Sequence, residues 1–272
     1  MARACRAVAR PLVLVPTMGA LHEGHLALVA RARKLAGEGG TVAVSIFVNP
    51  TQFGPKEDFS RYPRPLREDT ARCRAAGVDL LFTPSPAAMY EADHSVWIDE
   101  EALSATLCGA SRPGHFRGVC TVVGKLFNLT GADVGVFGKK DVQQLAIIRR
   151  MVRDLNFPVR IVGVETVRER DGLAMSSRNR YLSPEERAQA PILRQALLAA
   201  RERSRKRRGS PEKLAAEVAA RIRTAPTARI DYVSVLDAER LRPPVRGKTG
   251  RWLVAVAVFF GKTRLIDHLE IP

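Results

Sequence analysis

Cysteine is sparse in this sequence and widely scattered: Cys5, Cys73, Cys108 and Cys120 form neither a CxxC pair nor a disulfide framework. Free thiols and a cytoplasmic location are the expectation. No apolar run approaches the length that crosses a bilayer, so no membrane partner is expected. The opening MARACRAVARPLVLV is basic and then apolar, but its apolar part is short and lacks a convincing cleavage site. It reads as a frayed end followed by the first strand. A Ser-His-Asp or Cys-His signature is missing, which argues against a side-chain nucleophile. Acid is in deficit: 28 Asp and Glu stand against 44 Lys and Arg, a net charge of +16. Lysine is scarce too, so the excess is almost all arginine.

With 46% hydrophobic and 26% charged residues over 272 positions, the composition is that of a globular protein with one large or two modest domains. The surplus of arginine could serve nucleic acid, anionic small substrates, or neither. Its densest run, Arg201 to Arg208, carries no interleaved aromatics and precedes Gly209-Ser210-Pro211. That pattern favours a solvated helix end, and no nucleic-acid partner is expected.

The stretch Pro16 to Leu26, PTMGALHEGHL, organises the chain. Before it, Leu12 to Val15 is a short buried-strand run. After it, Leu26, Leu28, Val29, Ala32 and Leu35 recur at helical spacing, and Gly37 is a plausible stop. The unit is strand, glycine-bearing loop, helix. His22 and His25 fall three apart at the helix start, where free backbone N–H groups and the helix dipole favour phosphate. Spacing alone equally admits one capping and one packed histidine. Zinc would need further ligands, and the metalloprotease pattern sets its histidines four apart.

A second strand at 41–48 makes a βαβ unit of a parallel sheet, whose ligands bind at the carboxyl ends of the strands. That edge would carry the 16–25 loop together with Asn49 to Gly54, where Asn49 and Gln52 offer amides. A polar, proline-rich segment from Lys56 leads to a helix at about 66–76. There Glu68 and Asp69 could approach a nucleotide-bound magnesium or simply favour the helix dipole. A strand is expected at 78–83 and a short one at 95–98. The glycine-rich loop 111–118 holds Arg112 and Arg117, forks suited to carboxylate or phosphate, and a helix is expected over 119–129. Residues 133–137 form a strand and 142–155 a helix. Between them Gly138-Lys139-Lys140-Asp141 repeats the opening pattern, with a lysine at a helix mouth. A strand at 158–164 leads to a loop containing Ser176-Ser177-Arg178, which reads as mobile and able to close over polyphosphate. Ser183-Pro184-Glu185-Glu186 starts a helix running to about 203. A further helix at 211–223 and strands at 230–235, 252–260 and 263–267 form a small α+β end, separable from the α/β part near residue 180. Domains of 1–180 and 181–272 are thus expected.

PTMGALHEGHL resembles the HxGH nucleotide site of the nucleotidylyltransferase and class I aminoacyl-tRNA synthetase superfamily. Together with VSIFVNPTQF, RPGHFRGV, FGKKDVQQL and TVRERDGLAMSSRNRYL, in that order, it is similar to the pantothenate synthetase (pantoate–β-alanine ligase) family. The resemblance implies a Rossmann-like first domain binding ATP and pantoate, a small C-terminal lid domain and a homodimer. The implied reaction joins (R)-pantoate to β-alanine through a pantoyl adenylate, releasing AMP and diphosphate, with Mg²⁺ accompanying ATP. It assigns catalysis to His22, His25, Lys140 and Arg178. It assigns ATP binding to Met18, Gly19, His25, Gly138, Lys140, Asp141, Val167, Met175, Ser176, Ser177 and Arg178, and pantoate or β-alanine binding to Gln52 and Gln144. Asp69 is the expected magnesium-side acid. Three departures stand out: Lys139, where an acid is expected and which should make the phosphate mouth more positive, and Arg67 and Glu68 beside the metal position. A different nucleotidylyltransferase and an arginine-rich RNA-binding module are the rival readings.

Overall fold

The computed structural model describes residues 1–55, 57–206, 209–245 and 250–272. Short apolar runs without polar alternation demand burial on both faces, which a parallel sheet covered by helices provides. Five strands form one sheet, the central three buried and the edge strands β3 and β5 partly so: β1 (Leu12–Thr17), β2 (Thr41–Ile46), β3 (Leu80–Phe82), β4 (Val134–Gly138) and β5 (Arg160–Val164). All pair in parallel, in the order β3-β2-β1-β4-β5. This is the Rossmann order, and the chain reverses direction across the sheet between β1 and β4.

The helices of this part are α1 (Ala2–Arg6), α2 (Glu23–Ala36), α3 (Leu66–Ala75), α4 (Pro86–Met89), α6 (His115–Thr130) and α7 (Val142–Asp154); a short helix, α5 (Leu107–Ser111), falls between α4 and α6 in the chain. Leu28, Val29 and Ala32 of α2 pack on Val13, Val15, Val42, Val44, Val134 and Val136, one face of the sheet. Leu12 and Leu14 alternate to the other face and are fully buried, and α6 packs against β1. Gly37, at φ +68°, ends α2 as expected.

The remaining elements are α8 (Pro184–Gln189), α9 (Ile192–Lys206), α10 (Pro211–Ile222), β6 (Ala228–Asp237), β7 (Trp252–Phe260) and β8 (Thr263–Ile271). The strands form a separate antiparallel sheet in the order β6-β7-β8. Gly261 and Lys262 make the β7–β8 turn, with Gly261 at φ +55°. Leu193, Leu197, Leu214, Val218 and Ile222 from α9 and α10 pack with Val254, Val256 and Val258 from β7.

Two compact units result: Met1–Ser104 with Arg112–Glu165, and Ala105–Ser111 with Thr166–Pro272. Residues 166–180 thus cluster with the second unit, because Arg168 pairs with Asp267 on β8. The short α5 belongs there also, with Cys108 Sγ 3.3 Å from the Tyr232 hydroxyl.

Several local expectations differ from the structure. The N-terminal residues form α1, held by the fully buried Cys5. Residues 95–98 make no strand, and the Ile98 N–H goes to Thr121 Oγ1 at 3.0 Å instead of a strand partner. Helix α6 begins at His115, so Phe116, Arg117 and Gly118 are helical. Pro191, which has no N–H to donate, separates α8 from α9. The arginine run does end a helix: Arg203 and Arg205 are exposed and pair with Glu217 and Glu202. Arg207 and Arg208 of that run, and Lys56, lie outside the described residues.

Candidate active site

A ligand site on an open parallel sheet forms where the strand order reverses, at the carboxyl ends of the two diverging strands. Here those strands are β1 and β4. The loop after β1 carries Met18 to His25, and the loop after β4 carries Gly138 to Asp141.

The first loop turns through left-handed backbone at Gly19 (φ +81°) and Ala20 (φ +50°). A Cβ on Gly19 would stand 2.9 Å from Ile46 Cγ2 and 3.0 Å from Asp69 Oδ2, so both conformation and space require glycine. Asp69 holds this turn. Its Oδ2 accepts the Ala20 N–H and its Oδ1 the Leu21 N–H, each at 2.8 Å, and the residue is 1% exposed. The position expected for a magnesium-side acid therefore has both carboxylate oxygens committed to the loop backbone. Arg67 and Glu68 beside it are exposed. Among the described residues no group of three His, Cys, Asp or Glu could cage a metal ion.

His22 and His25 resolve the capping question in an unexpected way, because both cap. His22 is the N-cap of α2, and its Nδ1 accepts the Gly24 N–H at 3.1 Å. His25, three residues on, accepts the His22 N–H on its own Nδ1 at 3.2 Å. This is a capping box built from two imidazoles. A ring that accepts at Nδ1 carries its proton on Nε2. Each histidine thus has Nε2 as its donor, and the ring centroids lie 4.1 Å apart. Burial pushes the His25 pKa down to about 3, with the nearby His22 and Lys140 charges acting the same way. His25 is a neutral donor at physiological pH.

At the second loop, Gly138 precedes a 3₁₀ turn, Lys139–Asp141, that leads into α7. Its backbone is extended and nothing lies within 4 Å of where a Cβ would be. Lys140 Nζ stands 3.8 Å from Asp141 Oδ2. Lys139 forms an exposed ion pair with Glu165, which offsets part of the positive charge expected of it at this mouth. Of the paired glutamines on the first turn of α7, Gln143 is buried and spends its amide on the Leu103 carbonyl, while Gln144 is half-buried. Gln52 sits in a 3₁₀ turn after β2, and its Nε2 donates to Met18 Sδ at 3.1 Å.

Arg112 and Arg117 are not forks held ready for a ligand. Arg112 clamps the partly buried Glu57, and Arg117 lies over the Trp97 ring at 4.6 Å. His115 lies within the RPGHFRGV motif without a role assigned to it there, and no local pattern marks Glu57.

In the second unit, Met175 N–H donates to the Val167 carbonyl, and Arg168 and Ala174 form an antiparallel bridge. Ser176 Oγ accepts the Arg178 N–H at 3.3 Å and caps a 3₁₀ turn, Ser177–Tyr181; Ser177 is buried. The sequence reads this segment as mobile; in the structure side-chain pairs tie it into the second unit. Arg168 makes a two-pronged pair with buried Asp267 at 2.7 and 2.9 Å, Asn179 bonds Glu169 and the Ala174 carbonyl, and Arg187 pairs with Glu169 and Asp171. The Arg187 guanidinium holds the Asp171 carboxyl below its usual range.

A family model described as pantoate-beta-alanine ligase matches residues 1–270. The pantothenate synthetase of Akkermansia muciniphila is 54% identical over 260 residues, covering 96% of this chain and 92% of that protein. That of Desulfovibrio desulfuricans is 53% identical over 268 residues, covering 98% and 94%. The crystal structure of pantothenate synthetase from Thermus thermophilus is similar with a TM-score of 0.91 at 49% identity, covering 100% of this chain and 98% of that one. Pantoate-beta-alanine ligase from Francisella tularensis, solved with beta-gamma ATP and beta-alanine, has a TM-score of 0.78 at 31% identity, covering 98% and 93%. Motif order, sheet topology and similarity over nearly the full length agree, and the chain belongs to the pantoate-beta-alanine ligase family.

Proposed function

We infer that this chain ligates (R)-pantoate to β-alanine at the expense of ATP, giving pantothenate, AMP and diphosphate. A carboxylate does not acylate an amine at neutral pH without activation. The pantoate carboxylate oxygen attacks the α-phosphorus, the bond to diphosphate breaks, and pantoyl adenylate forms. The β-alanine amine then attacks the acyl carbon, AMP leaves, and the amine proton passes to solvent. No side-chain nucleophile is needed.

The observation that carries this reading is the pair of helix mouths at the β1/β4 reversal, one with two Nε2–H imidazoles and one with Lys140. Fixed donors aimed where charge develops are the largest lever an enzyme has on phosphoryl transfer. His22, His25 and Lys140 take the α-phosphate and the leaving diphosphate. Neither histidine is a base, since Nδ1 of each is occupied and Nε2 already carries the proton. Met18 and Gly19 run beside the substrates, and Asp141 stands beside Lys140. The family resemblance assigns adenosine contacts to Gly138 and to Val167. Gln52 and Gln144 hold pantoate, and Met175, Ser176, Ser177 and Arg178 bind ATP. The division into an ATP- and pantoate-binding domain (1–180) and a lid (181–272), the homodimer and the cytoplasmic location rest on the family resemblance and the free thiols. Mg²⁺ accompanying ATP would supply charge neutralisation at the phosphates, and a hard cation that calls on few protein oxygens would fit a chain whose buried Asp69 already accepts the Ala20 and Leu21 N–H groups.

Incubation with ATP, Mg²⁺, pantoate and β-alanine should yield pantothenate and AMP in equal amounts, and omission of β-alanine should leave a tightly held adenylate. Failure of both sinks the reading. Light scattering should give twice the chain mass, and a monomer would remove the dimer.

A further inference from the structure

Glu57, Arg112 and His115 have no part in the chemistry above, yet they form a closed hydrogen-bonded group in the first unit. Arg112 Nε and Nη2 donate to the two oxygens of Glu57 at 2.7 and 2.6 Å. Arg112 Nη1 is 3.0 Å from His115 Nε2. A guanidinium can only donate, so Nε2 accepts and the imidazole proton sits on Nδ1. Nδ1 is 2.8 Å from the Gln52 carbonyl, and Arg112 Nη2 donates to the same oxygen at 3.2 Å. One peptide carbonyl is held by two donors that Glu57 and Arg112 orient. From the other side α6 closes on the same turn: a Cβ on Gly118 would stand 2.5 Å from the Thr51 carbonyl oxygen and 2.8 Å from Gln52 N.

The Gln52 side chain is fixed by the same logic. The Gly118 carbonyl can only accept, so Asn49 presents Nδ2 to it, at 3.1 Å. The same Nδ2 donates to Gln52 Oε1 at 3.1 Å, while Asn49 Oδ1 takes the Tyr90 and Thr51 hydroxyls at 2.9 and 3.0 Å. Gln52 must therefore show Nε2, a donor, on the side of Met18.

We propose that Glu57, Arg112 and His115 are positioning residues for pantoate: by gripping the Gln52 peptide they set where its amide donor meets a substrate oxygen. The proposal rests on the reading that Gln52 binds pantoate. The test measures KM for pantoate and for ATP separately, with the other substrates saturating, in Gln52→Ala, Arg112→Lys, His115→Ala, His115→Asn and the double variant Gln52→Ala/Arg112→Lys. Arg112→Lys and His115→Ala should each raise the pantoate KM about tenfold, the size of one misplaced hydrogen bond to a charged group. The ATP KM should move by no more than about twofold. His115→Asn, which keeps a donor near the Nδ1 position, should recover much of what His115→Ala loses. Within Gln52→Ala, adding Arg112→Lys should raise the pantoate KM little further. A general loss of structure would lower kcat by reducing the active fraction and would not single out one substrate. An unchanged pantoate KM in Gln52→Ala overturns the underlying reading. A raised KM there, with normal values in Arg112→Lys and His115→Ala or with fully multiplicative effects in the double variant, overturns the positioning proposal alone.

Discussion

His22 combines two functions in one ring. Nδ1 closes the first turn of α2, and under the proposed function Nε2 carries the proton offered to a phosphate oxygen. The two separate by substitution. His22→Asn keeps a cap acceptor and loses the distal donor, so its thermal midpoint should stay near wild type, whereas His22→Ala should also lose about 1 kcal/mol of helix capping. Both variants, and Lys140→Ala, should slow adenylate formation by about 10²-fold or more. Near-normal single-turnover rates in these variants would contradict the donor assignment. Asp69 offers a second test at this scale. Asp69→Asn turns one of its two backbone acceptors into a donor facing an N–H. Turnover should fall while the Mg²⁺ concentration for half-maximal rate stays put, because the lost contacts are to Ala20 and Leu21. A raised Mg²⁺ requirement would return Asp69 to the metal. The sequence made both helix mouths legible because their glycines and histidines act on adjacent residues. It could not show that Asp69 reaches back 48 and 49 residues to the loop, since no periodicity encodes such a contact.

At the scale of elements, the segment 166–180 has the composition of a loop and the bonding of a hairpin. Its main tie is Arg168 to Asp267, whose side chain is 3% exposed. Removing one member of a buried pair leaves the other charge uncompensated. Asp267→Ala should cost about 2–3 kcal/mol, less than for a fully buried pair because Arg168 retains some exposure. It should also open peptide bonds near Arg170 to proteolysis before the rest of the chain unfolds. Unchanged protection would mean that the Arg187 pairs with Glu169 and Asp171 suffice. The start of α6 makes a related point. Pro113 and Gly114 look like loop, yet Gly114 at φ +80° is only the N-cap, and the next residue is already helical. Turn-forming residues mark a boundary but leave open on which side of it the structure lies.

Acid stability is a property of the whole molecule. Burial holds His25 at about 3, and burial together with Arg112 holds His115 at about 4. In the unfolded chain both titrate near 6.5. Between these values the unfolded state binds more protons, so stability rises with pH and is lost as pH falls below about 6.5. The loss should reach about 2 kcal/mol for each histidine by pH 5. His115→Asn should unfold with a flatter dependence on pH between 7 and 5 than wild type. Parallel curves would remove His115 from this account. Neither imidazole should contribute a step to the pH–rate profile between pH 6 and 8.

The sequence by itself determined the apolar runs that become strands, the helices between them, most of their starts and stops, and the ordered motifs that mark the family. These are local matters: burial demand, backbone conformation and capping act over a few residues. Only the tertiary structure decided that β1 and β4 lie side by side, which brings the histidine mouth and the lysine mouth to one edge. It alone decided that Lys139 pairs with Glu165, that Arg112 serves Glu57 and Gln52, and that both histidines cap. Each of these outcomes is a choice among partners, and a polar side chain finds its partner in space: burial makes an unpaired group costly, and the fold determines which groups are within reach.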